Sequence, residues 1–502
     1  MFQVEGFVRP NTLPRAFPGD LGVDPEGLMA FAEQFEALGG HAFMALRHGH
    51  VFAEGFCHPY GPQHLHPLFS ITKSFTGIAV GFAVQEGLLS IDENLVDIFP
   101  EHLPAAPCEN MAKMQVRHLL CHSTGHKALG PTTLSNNKKW VATFMQSYVA
   151  LPPGTFFNYN NNASNMLSAI IQKRSGLPLK DYLAARFFQP LGIEQCRWET
   201  LADGSYAGAL GLSLCIEDLA KMGQFMLQKG TWQDTQLLSP DWVAASTQLQ
   251  ADTSKAPSAS PYYKMGYGYQ FWLCDNEGTF RADGINSQLC VVLPKLHSVI
   301  AVTAGHSFNR DMHTLVFDTL VPAIHDDHTP DDPGLWRALD ARLAAMHIAP
   351  CPGEGSCPDA AHYSGRQYKV TRSRIGITGF SLHFGAGDEA DTLTLHCNKL
   401  SGTAETGKNG QWLFSDSFPA PDRYYPLLST FSAKVACSGG WQNGRYHVRL
   451  VNLELPFVDE LVFTFHAGAA LMELCRTPRM DTIVTAPDQP DLQRYQFYGA
   501  EL

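Results

Sequence analysis

The chain has little positive charge and no long hydrophobic run, and both deficits exclude classes of protein. Its 502 residues include 36 lysines and arginines against 48 aspartates and glutamates, a formal net charge of −12. No basic block offsets this charge, which argues against a nucleic-acid or anionic-membrane partner. The longest apolar run, 78–84, is far too short to span a bilayer, and the N-terminus lacks the basic and apolar regions of a signal peptide. We therefore expect a cytoplasmic protein with no membrane partner.

Several common signatures are also missing, namely His-Glu-x-x-His, Gly-x-Ser-x-Gly and a phosphate-binding loop. The twelve cysteines follow no repeated spacing, so we interpret them as free thiols of a cytosolic protein. Cys351 and Cys357 are near enough in sequence to close a small loop, but free thiols are favoured there too. His118, His122 and His126 have the spacing of a metal-binding helix face, yet a metal is the less favoured interpretation. We expect no metal and no cofactor.

Length and composition predict two globular domains. The chain is 45% hydrophobic and 17% charged, and it exceeds what one core usually accommodates. A polar, proline-rich stretch at 325–333 suggests a boundary. We predict a first domain over 1–325, a linker with a short helix over 326–360, and a second domain over 361–502.

The first domain is predicted to be α/β, with strands at both ends and helices between them. This order suggests one antiparallel sheet built from the two ends, flanked by helices and carrying a helical subdomain. The expected helices are 24–39, 116–122, 163–174, 180–188, 217–229 and 311–324, and the expected strands 42–46, 51–56, 279–282, 288–293 and 298–303.

The second domain is predicted to be all-β. From residue 363 the sequence changes to short alternating runs separated by Gly, Asn and Asp, which is typical of an antiparallel barrel or sandwich. The clearest of these runs are 380–384, 392–396, 446–450, 460–465 and 470–475.

A serine and a lysine three residues apart form the first candidate site. Ser70 and Lys73 open an apolar helix, so the hydroxyl and the amine share one face. A buried lysine can be neutral and take the serine proton. The alternative, a serine that merely caps a helix, is equally favoured on local sequence. A second copy, Ser135 with Lys138, lies in a loop composition, where the lysine would be solvated and charged.

Two further stretches supply possible partners. Tyr159 and Asn161 lie in a polar segment before a helix; a tyrosine beside an ammonium can move protons, and an amide can orient an acyl group. Gly284 lies at a strand edge, where it lets a ligand approach and the next N–H face an oxyanion. Taken alone, a capped helix start and an ordinary hairpin end are the favoured interpretations of these two stretches.

Together the three stretches resemble the serine β-lactamase and penicillin-binding-protein-like superfamily, in its class C-like esterase and peptidase branch. The resemblance extends roughly from residue 20 to residue 325. It is carried by segments 68–76, 86–93, 116–125, 153–161, 190–193, 267–269 and 284–294.

The resemblance implies a role for each matching residue. Ser70 would be the nucleophile, Lys73 its base or proton partner, Tyr159 a second general acid and base, and Asn161 a substrate-orienting amide. The backbone N–H groups of Ser70 and Ile285 would form the oxyanion hole.

The chain departs from the superfamily at one motif. Where the superfamily has Lys-Thr-Gly, or often His-x-Gly in the esterase branch, this chain has Ala282, Asp283 and Gly284. Ala282 brings no cation to hold the carboxylate of a β-lactam, so we expect weak or absent β-lactamase activity. Asp283 could bind a substrate cation, or be a solvated strand-end carboxylate. Gly284 is expected to line the substrate site.

These observations lead to a hypothesis and two rivals. We expect a serine hydrolase that forms an acyl-Ser70 intermediate on a small-molecule or short-peptide ester or amide, as an esterase, amidase or D-amino-acid-type peptidase. An acyltransferase would need the same residues, and a non-catalytic binding or sensing protein would not need all four. The second domain resembles the lipocalin-like domains appended to some superfamily members. The oligomeric state stays open, a homo-oligomer included.

Overall fold

The computed structural model describes most of the chain. The described residues are 12–127, 137–255, 260–274, 278–325, 332–373, 375–398, 400–419, 432–477 and 493–501. Among them, no helix combines the length and apolar character that crossing a membrane requires. All twelve cysteines, Cys351 and Cys357 included, are free thiols, as predicted.

The helices lie mainly between residues 69 and 246, as the sequence predicts. They are α1 (Pro25–Ala37), α2 (Thr72–Gln85), α3 (Leu95–Ile98), α4 (Glu109–Ala112), α5 (Val116–Leu120), α6 (Trp140–Met145), α7 (Asn161–Ser175), α8 (Leu179–Leu183), α9 (Ile216–Leu227), α10 (Pro240–Ser246), α11 (Asn309–Leu315), α12 (Pro333–Ala344) and α13 (Ala360–Tyr363). A 3₁₀ turn, Phe69–Ile71, precedes α2, and π-helical turns, Ala184–Phe188 and Val316–Leu320, extend α8 and α11.

A six-stranded antiparallel sheet joins the two ends of the first domain, which confirms the prediction. Its order is β2-β1-β11-β10-β9-β8. Strand β1 from the N-terminal end pairs with β11 from residues 298–304, with Met44 opposite Ala301. The strands are β1 (Gly40–Arg47), β2 (His50–Phe56), β8 (Trp272–Leu273), β9 (Phe280–Gly284), β10 (Gln288–Leu293) and β11 (Ser298–Ala304).

Successive side chains of each strand point to opposite faces of the six-stranded sheet, and a hydrophobic core covers each face. In β1, Met44 and Leu46 join the core that contains α2 and α9. Phe43 and Ala45 point to the other face and join the core that contains α1 and α12. Helix α12, the short helix predicted in the linker, therefore packs on the first domain, where Arg342 pairs with Glu36 at 3.1 Å. The domain boundaries themselves remain a prediction, and 326–331 lies outside the described residues.

A small three-stranded sheet that the sequence did not predict lies beneath the candidate serine. Its order is β3-β5-β4. Leu68, just before the serine turn, donates its N–H to the carbonyl of Leu212 in β5 at 2.8 Å. This bond fixes the chain immediately before Ser70. The strands are β3 (His66–Pro67), β4 (Arg197–Trp198) and β5 (Leu212–Leu214), and a separate hairpin consists of β6 (Thr231–Trp232) and β7 (Thr235–Gln236).

The C-terminal part forms a ten-stranded antiparallel sheet, nearly closed into a barrel. Its order is β15-β14-β13-β12-β21-β20-β19-β18-β17-β16. The backbone N–H of Glu405 in β15 donates to Ser415 Oγ in β16 at 3.3 Å, so the two edge strands approach each other. The strands are β12 (Gln367–Val370), β13 (Ile377–His383), β14 (Asp391–Cys397), β15 (Leu400–Thr406), β16 (Leu413–Pro419), β17 (Ser432–Gln442), β18 (Arg445–Asn452), β19 (Val458–His466), β20 (Ala469–Thr477) and β21 (Gln493–Glu501).

The barrel contacts the first domain through the loop between β18 and β19. Tyr60 is buried and donates its hydroxyl to the carbonyls of Asn452 at 2.9 Å and Leu455 at 3.2 Å. Arg197 in β4 donates to the carbonyl of Glu454 at 3.1 Å. The barrel is thus attached beside the small sheet that leads into the serine turn.

Candidate active site

Ser70 lies in the 3₁₀ turn that opens into α2. The preceding residue, Phe69, has a φ of 48°, a conformation that non-glycine residues adopt rarely and often at functional sites. Ser70 itself is half-buried, whereas nearly all of α2 is buried. Ser70 therefore lies at the edge of a buried helix, next to a residue with a strained backbone.

Lys73, one turn further along, contacts the serine directly. Its Nζ lies 3.0 Å from Ser70 Oγ and donates to the carbonyl of Ala209 at 2.8 Å. The side chain is 1% exposed, and this burial lowers the pKa of the Lys73 ammonium well below its ordinary range. A neutral amine at hydrogen-bond distance can take the serine proton.

The stretch with Tyr159 and Asn161 lies beside Ser70 and Lys73. The Lys73 Nζ lies 4.7 Å from the ring centroid of Tyr159, which is 37% exposed and therefore reachable from solvent. Asn161 begins α7, and the neighbouring Asn160 caps this helix by accepting the N–H of Asn162 at 2.9 Å. The structure therefore brings Ser70, Lys73 and Tyr159 together, with Asn161 two residues beyond the tyrosine.

The stretch with Gly284 and Ile285 packs against the 3₁₀ turn that contains Ser70. Gly284 ends β9, and a Cβ atom there would lie 2.3 Å from the carbonyl oxygen of Leu68. Only glycine lets the strand pass this close to the turn. Ile285 follows and is half-buried. Its backbone N–H thus belongs to the segment next to Ser70.

A side chain of β10 fixes the loop that contains Ile285. Asn286 and Ser287 both have positive φ values, 60° and 66°. Gln288 Nε2 donates to the carbonyls of Asn286 at 2.7 Å and Ala304 at 2.8 Å. No local sequence pattern distinguishes Gln288 from an ordinary strand residue, so its role in the loop could not be predicted.

Asp283 is buried in an ion pair and does not face solvent. Its carboxylate accepts hydrogen bonds from Arg281 Nε at 3.0 Å, His313 Nε2 at 2.8 Å and Asn309 Nδ2 at 2.7 Å. Burial alone would raise the pKa of Asp283, but the charges and hydrogen bonds of His313 and Arg281 outweigh it and lower the pKa to about 2. Because its partners lie within the fold, this geometry favours a structural role over binding of a substrate cation or a solvated strand end.

Asn309 is a further residue that the sequence did not indicate. Its Nδ2 also donates to the carbonyl of Gly284 at 2.8 Å, and its Oδ1 accepts the N–H of Ser287 at 2.9 Å. One amide at the start of α11 therefore holds both ends of the loop that contains Ile285.

An aromatic surface borders Tyr159. Its ring stacks on Trp272 at 5.7 Å between centroids with an interplanar angle of 18°. Tyr267 and Phe157 pack against Trp272 at 4.7 and 5.7 Å. Ala282 is buried in the core and brings no charge to this side.

The three histidines with metal-like spacing have separate surroundings. Helix α5 ends at Leu120, so the helical spacing does not continue to the later two histidines. His118 Nδ1 accepts the N–H of Gln115 at 2.9 Å, while His126 contacts the hydroxyls of Thr124 and Ser147. Within the residues that the structure describes, no group of three His, Cys, Asp or Glu side chains could hold a metal ion. Ser135 of the second Ser-x-x-Lys copy lies outside the described residues.

Comparison with known proteins places the first domain in a family. The β-lactamase of Yersinia enterocolitica is 28% identical over 137 residues, 27% of this chain, and the match spans only 34% of that protein's length. The 6-aminohexanoate-dimer hydrolase of Paenarthrobacter ureafaciens is 24% identical over 279 residues, 52% of this chain and 71% of that protein.

A solved structure agrees with these sequence matches. The crystal structure of a family VIII carboxylesterase aligns with a TM-score of 0.51 and 14% identity, over 62% of this chain and 98% of the carboxylesterase. At this identity the likeness concerns the fold alone. The family model for β-lactamases matches residues 28–316, more than half of the chain. The resemblance noted in the sequence is therefore confirmed, and the chain belongs to the β-lactamase family.

Proposed function

We propose that the protein is a serine hydrolase that cleaves esters or amides through an acyl-Ser70 intermediate. The observation that carries this proposal is the 3.0 Å contact between Ser70 Oγ and the buried amine of Lys73. A lysine that merely stabilised the fold would be expected to have a carboxylate partner or a solvated ammonium group. Here the amine instead contacts a hydroxyl and a backbone carbonyl.

The acylation step follows from this contact. Lys73 takes the Ser70 proton as Oγ forms a bond to the acyl carbon, and the carbonyl oxygen becomes an oxyanion. The backbone N–H groups of Ser70 and Ile285 would donate to that oxyanion. Tyr159 would deliver a proton to the leaving alcohol or amine, and the proton held by Lys73 would restore the tyrosine. Asn161 would orient the acyl group through its amide.

Deacylation uses the same groups in reverse. A water molecule gives its proton to the neutral Lys73 amine, directly or through Tyr159, which takes the water proton as it passes its own to Lys73, while the water oxygen attacks the acyl carbon. The bond to Ser70 Oγ then breaks, and the serine regains its proton as the carboxylic acid leaves.

The surroundings of the serine indicate which substrates to test first. Ala282 supplies no cation, and the stacked rings of Tyr159 and Trp272 form an apolar surface beside the site. We therefore propose that uncharged esters or amides with apolar groups are accepted, and that β-lactams with an anionic carboxylate are poor substrates.

The test uses the full chain, a fluorophosphonate, and p-nitrophenyl esters and anilides. We expect a single adduct at Ser70, located by peptide mass, and turnover that Ser70→Ala abolishes. Ser135→Ala, the serine of the second Ser-x-x-Lys copy, is the matched control and should leave labelling and turnover unchanged. An adduct elsewhere, or turnover that persists in Ser70→Ala, would refute the proposal. A chromogenic cephalosporin assayed in parallel should be hydrolysed slowly or not at all.

A further inference from the structure

His122 is a buried residue of the site that the proposed mechanism does not use. It follows α5, is fully buried, and has a φ of 54°. A positive φ strains a histidine, so packing or hydrogen bonds must hold the residue in this conformation. Its ring centroid lies 4.6 Å from that of Tyr159.

Hydrogen bonds connect His122 to both sequence neighbours of Tyr159. The carbonyl oxygen of His122 accepts the N–H of Asn158 at 2.9 Å. Its Nδ1 accepts the N–H of Asn160 at 3.3 Å. The backbone on each side of the tyrosine is therefore bound to the same residue, while the tyrosine ring packs on its imidazole.

The other ring nitrogen lies beside the amide of Gln270. Nε2 of His122 lies 3.5 Å from Nε2 of Gln270. The orientation of the Gln270 amide is fixed because its Nε2 donates to the carbonyl of Leu120 at 2.6 Å and its Oε1 accepts from Ser164 Oγ at 2.7 Å. An imidazolium would carry an N–H at Nδ1 that faces the Asn160 N–H, so this hydrogen bond requires a neutral ring with its proton on Nε2. Burial, and then the positive charge that Lys73 carries when it is protonated, also lower the pKa of His122 well below its ordinary range.

We propose that His122 is a positioning residue that holds Tyr159 over Lys73. This inference rests on the proposed function, because Tyr159 matters only if it moves protons at Ser70. A neutral imidazole is favourable here, because a second cation beside Lys73 would repel the ammonium that forms during acylation.

The test compares three variants under conditions where wild-type turnover depends on Ser70. His122→Ala removes the Nδ1 acceptor and the ring. His122→Asn tolerates a positive φ and can place Oδ1 where Nδ1 accepts the Asn160 N–H. His126→Ala is the matched control, because His126 is equally buried in the same segment but bonds to Thr124 and Ser147.

We expect His122→Ala to lower kcat by up to about 100-fold with KM nearly unchanged, since a displacement of about 1 Å in a catalytic group can cost that much. His122→Asn should recover most of kcat. His126→Ala should lower the melting temperature but leave kcat close to wild type.

Two results would overturn the inference while the proposed function stands, provided that wild-type Ser70 is still labelled by the fluorophosphonate. One is full kcat in His122→Ala, and the other is a loss of kcat in His126→Ala as large as in His122→Ala. Failure of His122→Asn to recover kcat would also count against it, because the acceptor would then not be what matters. If wild-type Ser70 is not labelled at all, the proposed function fails, and this inference fails with it.

Discussion

The protonation state of Lys73 decides whether Ser70 has a base. The contact of Nζ with Ser70 Oγ would look the same for an ammonium that donates and for an amine that accepts. Burial favours the amine, because removing an ammonium from water costs free energy that a neutral amine avoids. Whether Lys73 is an ammonium or a neutral amine can be determined from how the free energy of unfolding depends on pH.

Lys73→Met should abolish acylation and change how stability depends on pH. A lysine whose pKa is lowered in the fold binds a proton when the chain unfolds, so it destabilises the native state at neutral pH. This cost shrinks as the pH rises towards the ordinary value of 10.5. We expect the unfolding free energy of the wild type to rise with pH relative to that of Lys73→Met, by about 1.4 kcal/mol per pH unit in the alkaline region below 10.5. Urea denaturation at pH 7 to 10 measures the gain.

Ser70→Ala provides the control for this slope. It is inactive but keeps Lys73, so its stability should rise with pH as that of the wild type does. A difference between wild type and Lys73→Met that stays constant across the range would mean that Lys73 is protonated in the fold. Lys73 could not then be the base for Ser70.

At the scale of secondary-structure elements, strand β9 attaches the loop that contains Ile285 to the rest of the domain. Gly284 allows its approach to the serine turn, while Asp283 binds the strand to α11 through His313 and Asn309. Arg281, fully buried, supplies the permanent positive charge of this network. A shift of β9 would therefore move the backbone N–H of Ile285.

Asp283→Asn should destabilise the protein and also lower kcat. Leaving the Arg281 charge without its carboxylate typically costs about 3–5 kcal/mol. The fold lowers the pKa of Asp283 from 3.8 to about 2. The stability that its ionised carboxylate contributes is therefore present above pH 4 and is lost as the pH falls towards 2. The difference in unfolding free energy between wild type and variant should narrow over that window.

Asp459→Asn is a matched control in the barrel, where Asp459 pairs with the buried Arg476. It should reduce stability while kcat stays near wild type. If Asp283→Asn instead raised KM for cationic esters and left stability unchanged, Asp283 would contact substrate, and the structural role would be wrong.

The sequence predicted elements whose signals are local and missed contacts between distant segments. Strand β10 begins and ends at the predicted residues, and the side chain of Asp24 caps α1 as its pattern indicates. Helix α5 ends earlier than the predicted residue 122, because His122 has left the helical conformation. The small sheet with Leu212 and the loop contacts of Asn309 depend on partners far along the chain, and no periodicity encodes them.

The same division applies to the candidate site. Ser70 and Lys73 share a helical face, so their contact follows from spacing alone. The proximity of Tyr159 to Lys73 could be expected only from the family resemblance. The burial of Asp283 could not be expected, because its partner His313 comes from α11 and carries no distinguishing local pattern.

At the scale of the whole molecule, the barrel is attached to the first domain near the start of the serine turn. Tyr60, His66 and Leu68 belong to one segment that leads into Ser70. Tyr60 binds the barrel through two backbone carbonyls, and Leu68 binds the small sheet. Loss of this contact is therefore expected to affect the segment before Ser70 as well as the junction between the barrel and the first domain.

Tyr60→Phe tests this connection. The substitution removes the hydroxyl and leaves the carbonyls of Asn452 and Leu455 without this donor inside a buried contact, at a cost of about 1–3 kcal/mol. We expect a lower melting temperature, with the barrel unfolding in a separate transition, and faster proteolytic cleavage between the two domains. Ser70 labelling by the fluorophosphonate should slow in the same variant.

Tyr182→Phe separates the effect of the junction from that of losing any buried tyrosine hydroxyl. Tyr182 is also buried, and its hydroxyl donates to Glu86 at 3.0 Å within the first domain. Its variant should unfold in one transition and keep the wild-type rate of cleavage between the domains. If Tyr60→Phe behaves like Tyr182→Phe in both its unfolding transitions and its cleavage rate, the attachment of the barrel does not depend on the Tyr60 hydroxyl. If Tyr60→Phe loosens the junction while Ser70 labelling keeps its rate, the serine turn is set by the small sheet and Gly284 alone.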